Sequence, residues 1–170
     1  MQIRILILTA FLLNTSLIMA AEDNPAQTVF RSPFTLKLRV DNEHYYEENF
    51  DKTPYVHENS IYLFKSDNFG IKFELHGDTI AKILYEPNLD KADLTFRFSQ
   101  GIKQKEEAML LVVKNKTKYK IRMDALMTIP GQKDVHNTTI LPIDPGLGSY
   151  ESWPHSIVQL VLTNLRVEKL

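Results

Sequence analysis

The sequence predicts an all-β fold: a single antiparallel two-sheet sandwich, immunoglobulin-like in strand number and length, with one long ordered Pro/Gly-rich loop. Three observations predict it. Apolar and polar residues alternate with a period of two in four separate segments, the pattern of strands with one face in a core and one in water. Four further short runs are apolar on both faces, as central strands are. No segment carries a 3.6-residue apolar stripe over three turns, so helices contribute little. A jelly roll or small barrel fits the same pattern. The antibody hallmark, paired cysteines around a core tryptophan, is absent because the chain has 0 Cys.

The chain opens MQIRILILTAFLLNTSLIMAAEDN. Arg4 precedes an apolar run from Ile5 to Leu13, and Ala20 and Ala21 precede Glu22 and Asp23. Basic, apolar, then small is the layout of a secretory signal peptide. Asn14, Thr15 and Ser16 interrupt the run, which is too short for a membrane span. The leader is therefore residues 1–21, cleaved after Ala20 or Ala21, and the mature domain is residues 22–170. Small animal secreted domains depend on disulfides, whereas roughly 150 residues bury enough core without them. Export without cysteine thus fits a bacterial periplasmic or secreted protein. The 20 Lys+Arg and 21 Asp+Glu give a net charge of −1, one unit more negative once Arg4 leaves with the leader. That balance gives no global attraction to nucleic acid or anionic membrane, and no stable membrane insertion is expected after leader removal.

Among the alternating segments, Phe34, Leu36, Leu38 and Val40 set the first strand. Ile71, Phe73 and Leu75 set another, Leu94, Phe96 and Phe98 a third, and Thr117 through Ala125 a fourth. The two-faced apolar runs are Ile61–Phe64, Ile80–Tyr85, Met109–Val113 and Ile157–Leu165. His76-Gly77-Asp78-Thr79 lies between two strand patterns and predicts a two-residue hairpin loop of the II′ kind. Gln104 to Met109 is the best helical segment, one turn at most. In all, seven to nine strands are expected.

The segment from Ile129 to His155 reads as irregular, with only Thr138 to Leu141 strand-like. It holds Pro130, Pro142, Pro145 and Pro154 of the 8 prolines and Gly131, Gly146 and Gly148 of the 6 glycines. Its apolar residues, among them Ile140, Ile143 and Leu147, give it material to pack, and proline reduces the entropy lost on ordering. The chain's 1 Trp, Trp153, falls here. It is expected first as a lid on the open end of the sandwich, since a Trp beside strand-forming sequence is usually buried. Its second reading is a partner platform with Tyr150, because aromatics dominate binding hot spots.

Two charged segments complete the candidate binding surface. Lys118, Lys120 and Arg122 alternate on one strand face, with Lys114 and Lys116 at the turn before it, and a negatively charged partner could dock there. Lysine on a strand also blunts edge-to-edge pairing. No aromatic residue interleaves these cations on that face, which argues against nucleic acid. Asp41 to Lys52 is acidic, with Tyr45, Tyr46 and Phe50, and reads first as a polar loop with aromatic anchors and second as an acidic and aromatic patch for protein recognition. It has no calcium-loop spacing.

Catalysis finds little support. His44, His57, His76, His136 and His155 are scattered without a metal-binding spacing. Gly148-Ser149-Tyr150-Glu151 is not a nucleophile elbow. Ser149, Glu151 and His155 are close in sequence, but a triad is defined by spatial roles. Asn115-Lys116-Thr117 and Asn137-Thr138-Thr139 are N-glycan acceptors only in a eukaryotic secretory route. The expected function is an exported, non-enzymatic sandwich that binds another protein or a cell-envelope component, without a cofactor, through Tyr150, Trp153, Lys118, Lys120 and Arg122. The alternative is a small metal-dependent or hydrolytic enzyme with its site assembled across strands.

Overall fold

The computed structural model describes residues 28–103 and 106–168; the leader assigned to residues 1–21 lies outside them. The strands are β1 (Phe34–Arg39), β2 (Tyr45–Phe50), β3 (Val56–His57), β4 (Ser60–Leu63), β5 (Asn68–His76), β6 (Thr79–Glu86), β7 (Leu94–Lys103), β8 (Glu106–Asn115), β9 (Lys120–Thr128), β10 (Val135–Thr139), β11 (Gly148–Trp153) and β12 (Gln159–Glu168). They form two antiparallel five-stranded sheets, ordered β10-β9-β12-β4-β3 and β11-β8-β7-β5-β6, and a separate β1-β2 hairpin. The fold is all-β and sandwich-like. Ile61, Leu63, Ile121, Leu160 and Leu162 of the first sheet share one buried cluster with Ile71, Phe96, Phe98, Met109 and Leu111 of the second.

The hairpin joins that cluster through Leu36 and Leu38. Phe34 and Phe50 pack edge-on against Phe64 at 5.2 and 5.0 Å. Gln100 fastens it to β7: its Oε1 accepts from the Arg39 N–H at 3.0 Å and its Nε2 donates to the Arg39 carbonyl at 2.6 Å.

Turn chemistry sets two of the registers. His76 pairs with Thr79, and of the two loop residues only Gly77 has positive φ, +63°, as a II′ loop requires. Between β3 and β4, Glu58 and Asn59 both have positive φ, the I′ pattern. Gly70 in β5 marks a close approach, since a Cβ there would lie 2.2 Å from the Ala92 Cβ.

Four expectations are corrected, the first being strand number, which is twelve among the described residues where seven to nine are expected. Glu106–Met109, read as one helical turn, belongs to β8, because pairing with β7 through Lys103↔Glu106 continues the hairpin. The segment Ile129–His155 is not one long irregular loop: it contains β10 and the regular edge strand β11. Asp41–Lys52 is not a loop either, since β2 runs through it in register with β1. Its turn is organised by the Asp41 carboxylate, which accepts from the Glu43 and His44 N–H groups at 2.8 Å.

A buried arginine anchors the chain leading into β1. Arg31 is 7% exposed. Its guanidinium donates to both Asp67 carboxylate oxygens at 3.2 and 2.6 Å, to the Pro54 carbonyl at 2.5 Å and to the Tyr62 carbonyl at 2.6 Å. It also lies 3.9 Å from the Tyr55 ring centroid. Asp67 is held in turn by the Phe64 N–H at 2.7 Å. A desolvated charge is tolerated only when paired and hydrogen-bonded in this way.

Candidate functional site

The outer face of the β11-β8-β7-β5 sheet gathers an aromatic ring and several cations from distant parts of the chain. Register alone places them. Tyr150 stands opposite Val112, Val112 opposite Arg97, and Arg97 opposite Asn68. The neighbouring row runs Gly148, Lys114, Thr95. Side chains alternate faces along a strand, so both rows look away from the core. Between them lies a groove of about 410 Å³ lined by Tyr150, Arg97, Lys114, Lys116, Val112 and Asp90, among others. A second depression of about 420 Å³ adjoins it, lined by Lys114, Lys116, Leu147, Gly148 and again Tyr150.

Two turns form the walls. The 3-10 turn Leu89–Lys91 is capped by Asn88, whose side chain accepts from the Asp90 N–H at 2.9 Å. The other wall is the turn from β8 to β9, folded around Asn115, which is 1% exposed. Its Nδ2 faces the carbonyls of Tyr119 at 2.7 Å, Ile143 at 3.1 Å and Asp144 at 3.3 Å, while its Oδ1 accepts from the Thr117 N–H at 3.0 Å and hydroxyl at 2.7 Å. That amide is fully engaged, so Asn115 is no glycan acceptor in the folded chain. Lys116 closes the wall by donating to the Leu89 carbonyl at 2.5 Å.

The electrostatics of the groove are unbalanced. The side chains of Arg97 and Lys114 are exposed and form no ion pair or hydrogen bond with a described residue. Lys116 meets only a carbonyl, and Asp90 is the one carboxylate in the lining. Tyr150 is 71% exposed, and Leu147 beside it is exposed as well.

The five residues expected to bind a partner separate in space. Tyr150 lies in the groove. Trp153, only 7% exposed, faces the opposite way into the core, edge-on to Phe98 at 6.3 Å, and its indole N–H donates to the Thr138 hydroxyl at 2.8 Å. Lys120 and Arg122 do share a face of β9, but each has a carboxylate partner: Lys120 with Asp144 at 3.0 Å, and Arg122 with Glu168. Lys118 precedes β9 in the turn and lies 5.4 Å from the Tyr119 ring centroid. Arg97 escaped the sequence reading, because only the register of β7 on β8 brings it to Tyr150.

For catalysis, the Ser149 hydroxyl donates to Glu151 Oε1 at 2.8 Å, and the same oxygen accepts from the Leu141 N–H at 3.0 Å. That links the β11 rim to the segment after β10. No described hydrogen bond joins His155 to either residue; its buried Nε2 has no partner. Burial holds the His155 imidazole below the ordinary histidine value, and the nearby His136 adds to the shift. Among the described residues, no three His, Asp or Glu stand together as metal ligands, and no helix is long and apolar enough to cross a membrane. No family model, curated protein or solved structure matches the chain.

Proposed function

We propose that this chain is an exported, non-enzymatic β-sandwich of the immunoglobulin-like kind, periplasmic or secreted, that binds another protein or a cell-envelope component at the groove around Tyr150. One observation carries the proposal. A large exposed aromatic is held on a paired strand beside two cations that have no counterion among the described residues. Tyrosine and arginine are the residue types that supply most binding energy at interfaces, and clustered like charge attracts a complementary partner and steers its approach. Lys118, Lys120, Arg122 and Trp153 are not part of this surface: two are ion-paired, one sits in a turn and one is buried.

The test is site-directed photocrosslinking in a host that exports the chain. A photoreactive residue at position 150 should give one dominant adduct, lost when Arg97→Glu and Lys114→Glu are combined. The same probe at exposed Val135, on β10, should give none. Equal adducts from both positions, or none from position 150, would sink the groove as a binding site. Intact mass of the exported chain should begin at Ala21 or Glu22.

A further inference from the structure

We infer that an extended, acidic segment of a partner protein adds as a further strand to the outer edge of β11, beside the groove, with its acidic side chains turned toward the groove's cations. The inference rests on the binding role proposed above and names the class of partner. Its first support is the backbone. The Asn115 N–H donates to the Leu147 carbonyl at 2.8 Å, which marks that pair as hydrogen-bonded. Antiparallel pairing then alternates, so with the unbroken register of β11 on β8 the bonded pairs are Ser149–Val113 and Glu151–Leu111. The N–H and C=O groups of Gly148 and Tyr150 therefore point away from β8, and they bond to no described residue. Such an edge is a template for strand addition.

The other edges of the two five-stranded sheets are less suited. On β6, Asn59 occupies the backbone: its Nδ2 donates to the Ala81 carbonyl at 3.2 Å and its Oδ1 accepts from the Ile83 N–H at 3.0 Å. β3 has only 2 residues. β10, VHNTT, offers no charge for recognition.

The second support is charge complementarity on the adjoining face. Every other side chain of an added strand would continue, one strand further out, the row of Tyr150, Val112 and Arg97 or the row of Gly148 and Lys114. Gly148 bears no side chain, so a glutamate reaching across it meets Lys114. A glutamate one pleat along lies against Tyr150, with Arg97 in the same row two strands further in. A second copy of this chain fits poorly, because its own β11, GSYESW, would set Gly148, Tyr150 and Ser152 on that face and bring no carboxylate to the cations.

The experiment uses the mature chain and a fluorescein-labelled peptide alternating glutamate and valine, read by anisotropy at low salt. Two further peptides carry N-methyl groups on alternate amides, one on the glutamates and one on the valines. Strand addition uses one set of amides and leaves the other in solvent, so one methylated peptide should bind like the parent and the other should lose about tenfold or more. Arg97→Glu with Lys114→Glu should weaken the parent peptide by a similar factor. Tyr150→Pro should abolish binding with little change in melting temperature, because the amide it removes faces outward. If that variant misfolds, the methylated pair still decides.

Equal binding of both methylated peptides would overturn strand addition while leaving a simple anion-binding groove, and with it the broader reading, intact. No saturable binding of the parent would overturn the acidic-peptide assignment, whereas crosslinking at position 150 judges the binding role separately. Oligothymidylate binding as tightly as the peptide, or a dimer sealed along β11 in sedimentation, would overturn it as well.

Discussion

Arg31 is buried and donates to Asp67, Pro54 and Tyr62, whereas the Arg97 side chain, exposed on the outer face of β7, bonds to no described residue. The same side chain thus stands in two opposite electrostatic states within one chain. At Arg31 the charge is desolvated, and its partners come from the chain before β4, from β4 itself and from the turn before β5. They make it part of the structure. At Arg97 no described residue forms an ion pair with the charge, and Lys114 and Lys116 line the same groove. The lesson is that a cation's number of partners, more than its position in the sequence, separates what holds the fold from what is left to meet something else. The pairs Lys120–Asp144 and Arg122–Glu168 fall between the two. They lie at the surface, and such pairs contribute only about 0–1 kcal/mol.

That contrast can be broken or sharpened by substitution. The largest effect is expected at Asp67. Asp67→Ala leaves the Arg31 guanidinium buried without its counterion, and removing one partner of a buried pair costs roughly 3–5 kcal/mol. The urea midpoint should fall accordingly, while peptide binding by the fraction still folded is unchanged. A shift no larger than that of a surface substitution would mean that the knot is open to water.

Trp153→Ala should cost a comparable ~3–5 kcal/mol through lost burial and the cavity left behind. In the unmodified chain, Trp153 emission should be blue-shifted and poorly quenched by iodide. Free quenching would return Trp153 to the binding surface. Asn115→Ala should cost less, about 1–3 kcal/mol, since it strands the Thr117 N–H and takes one of two donors from each of the Tyr119 and Ile143 carbonyls. It should also loosen the groove wall, visible as faster amide exchange across Lys116–Tyr119.

The smallest effect concerns pH. Burial lowers the His155 pKa below 6.5 in the folded chain, so the unfolded chain binds a proton first as pH falls. Stability from this group is complete above about pH 6.5 and declines below it, through the folded value. His155→Gln should flatten that part of the stability profile. Asp41 and Asp124 act in a separate, more acidic window below their usual 3.8. Asp41 is held down by the Glu43 N–H and by His44, and Asp124 by Arg166 and Asn164.

The strands were legible wherever one face had to be apolar. Leu94, Phe96 and Phe98, or Ile71 and Leu75, announce themselves because a period-two pattern is what a half-buried strand requires. β11 was not legible, for a physical reason. Its inward residues Ser149 and Glu151 meet each other and the Leu141 backbone at the rim of the sandwich instead of the core. From Ser149 to Glu151 the aromatic residue, Tyr150, is the outward one, and only Trp153 at the strand's end turns into the core. The alternation is inverted, and Pro145 and Gly146 just before it signal a loop. Tyr150 could be singled out from the chain as an aromatic in unusual company, but its neighbours could not. Lys118, Lys120 and Arg122 are adjacent in sequence and drew attention for that, while Arg97 and Lys114 come together only through strand register. Arg31 left no local signal either, since Asp67 is 36 residues away.

The central claim is that Arg97 and Lys114 serve binding and contribute nothing to the fold. It is tested most directly by making Arg97→Ala with Lys114→Ala and measuring two quantities on one preparation, the urea midpoint and the affinity for the glutamate–valine peptide. Surface substitutions of this kind stay within about 0.5 kcal/mol each, so the midpoint should barely move while affinity falls about tenfold, or roughly 1.4 kcal/mol. A clear drop in the midpoint with unchanged affinity would contradict the account, placing these cations with Arg31 as parts of the structure.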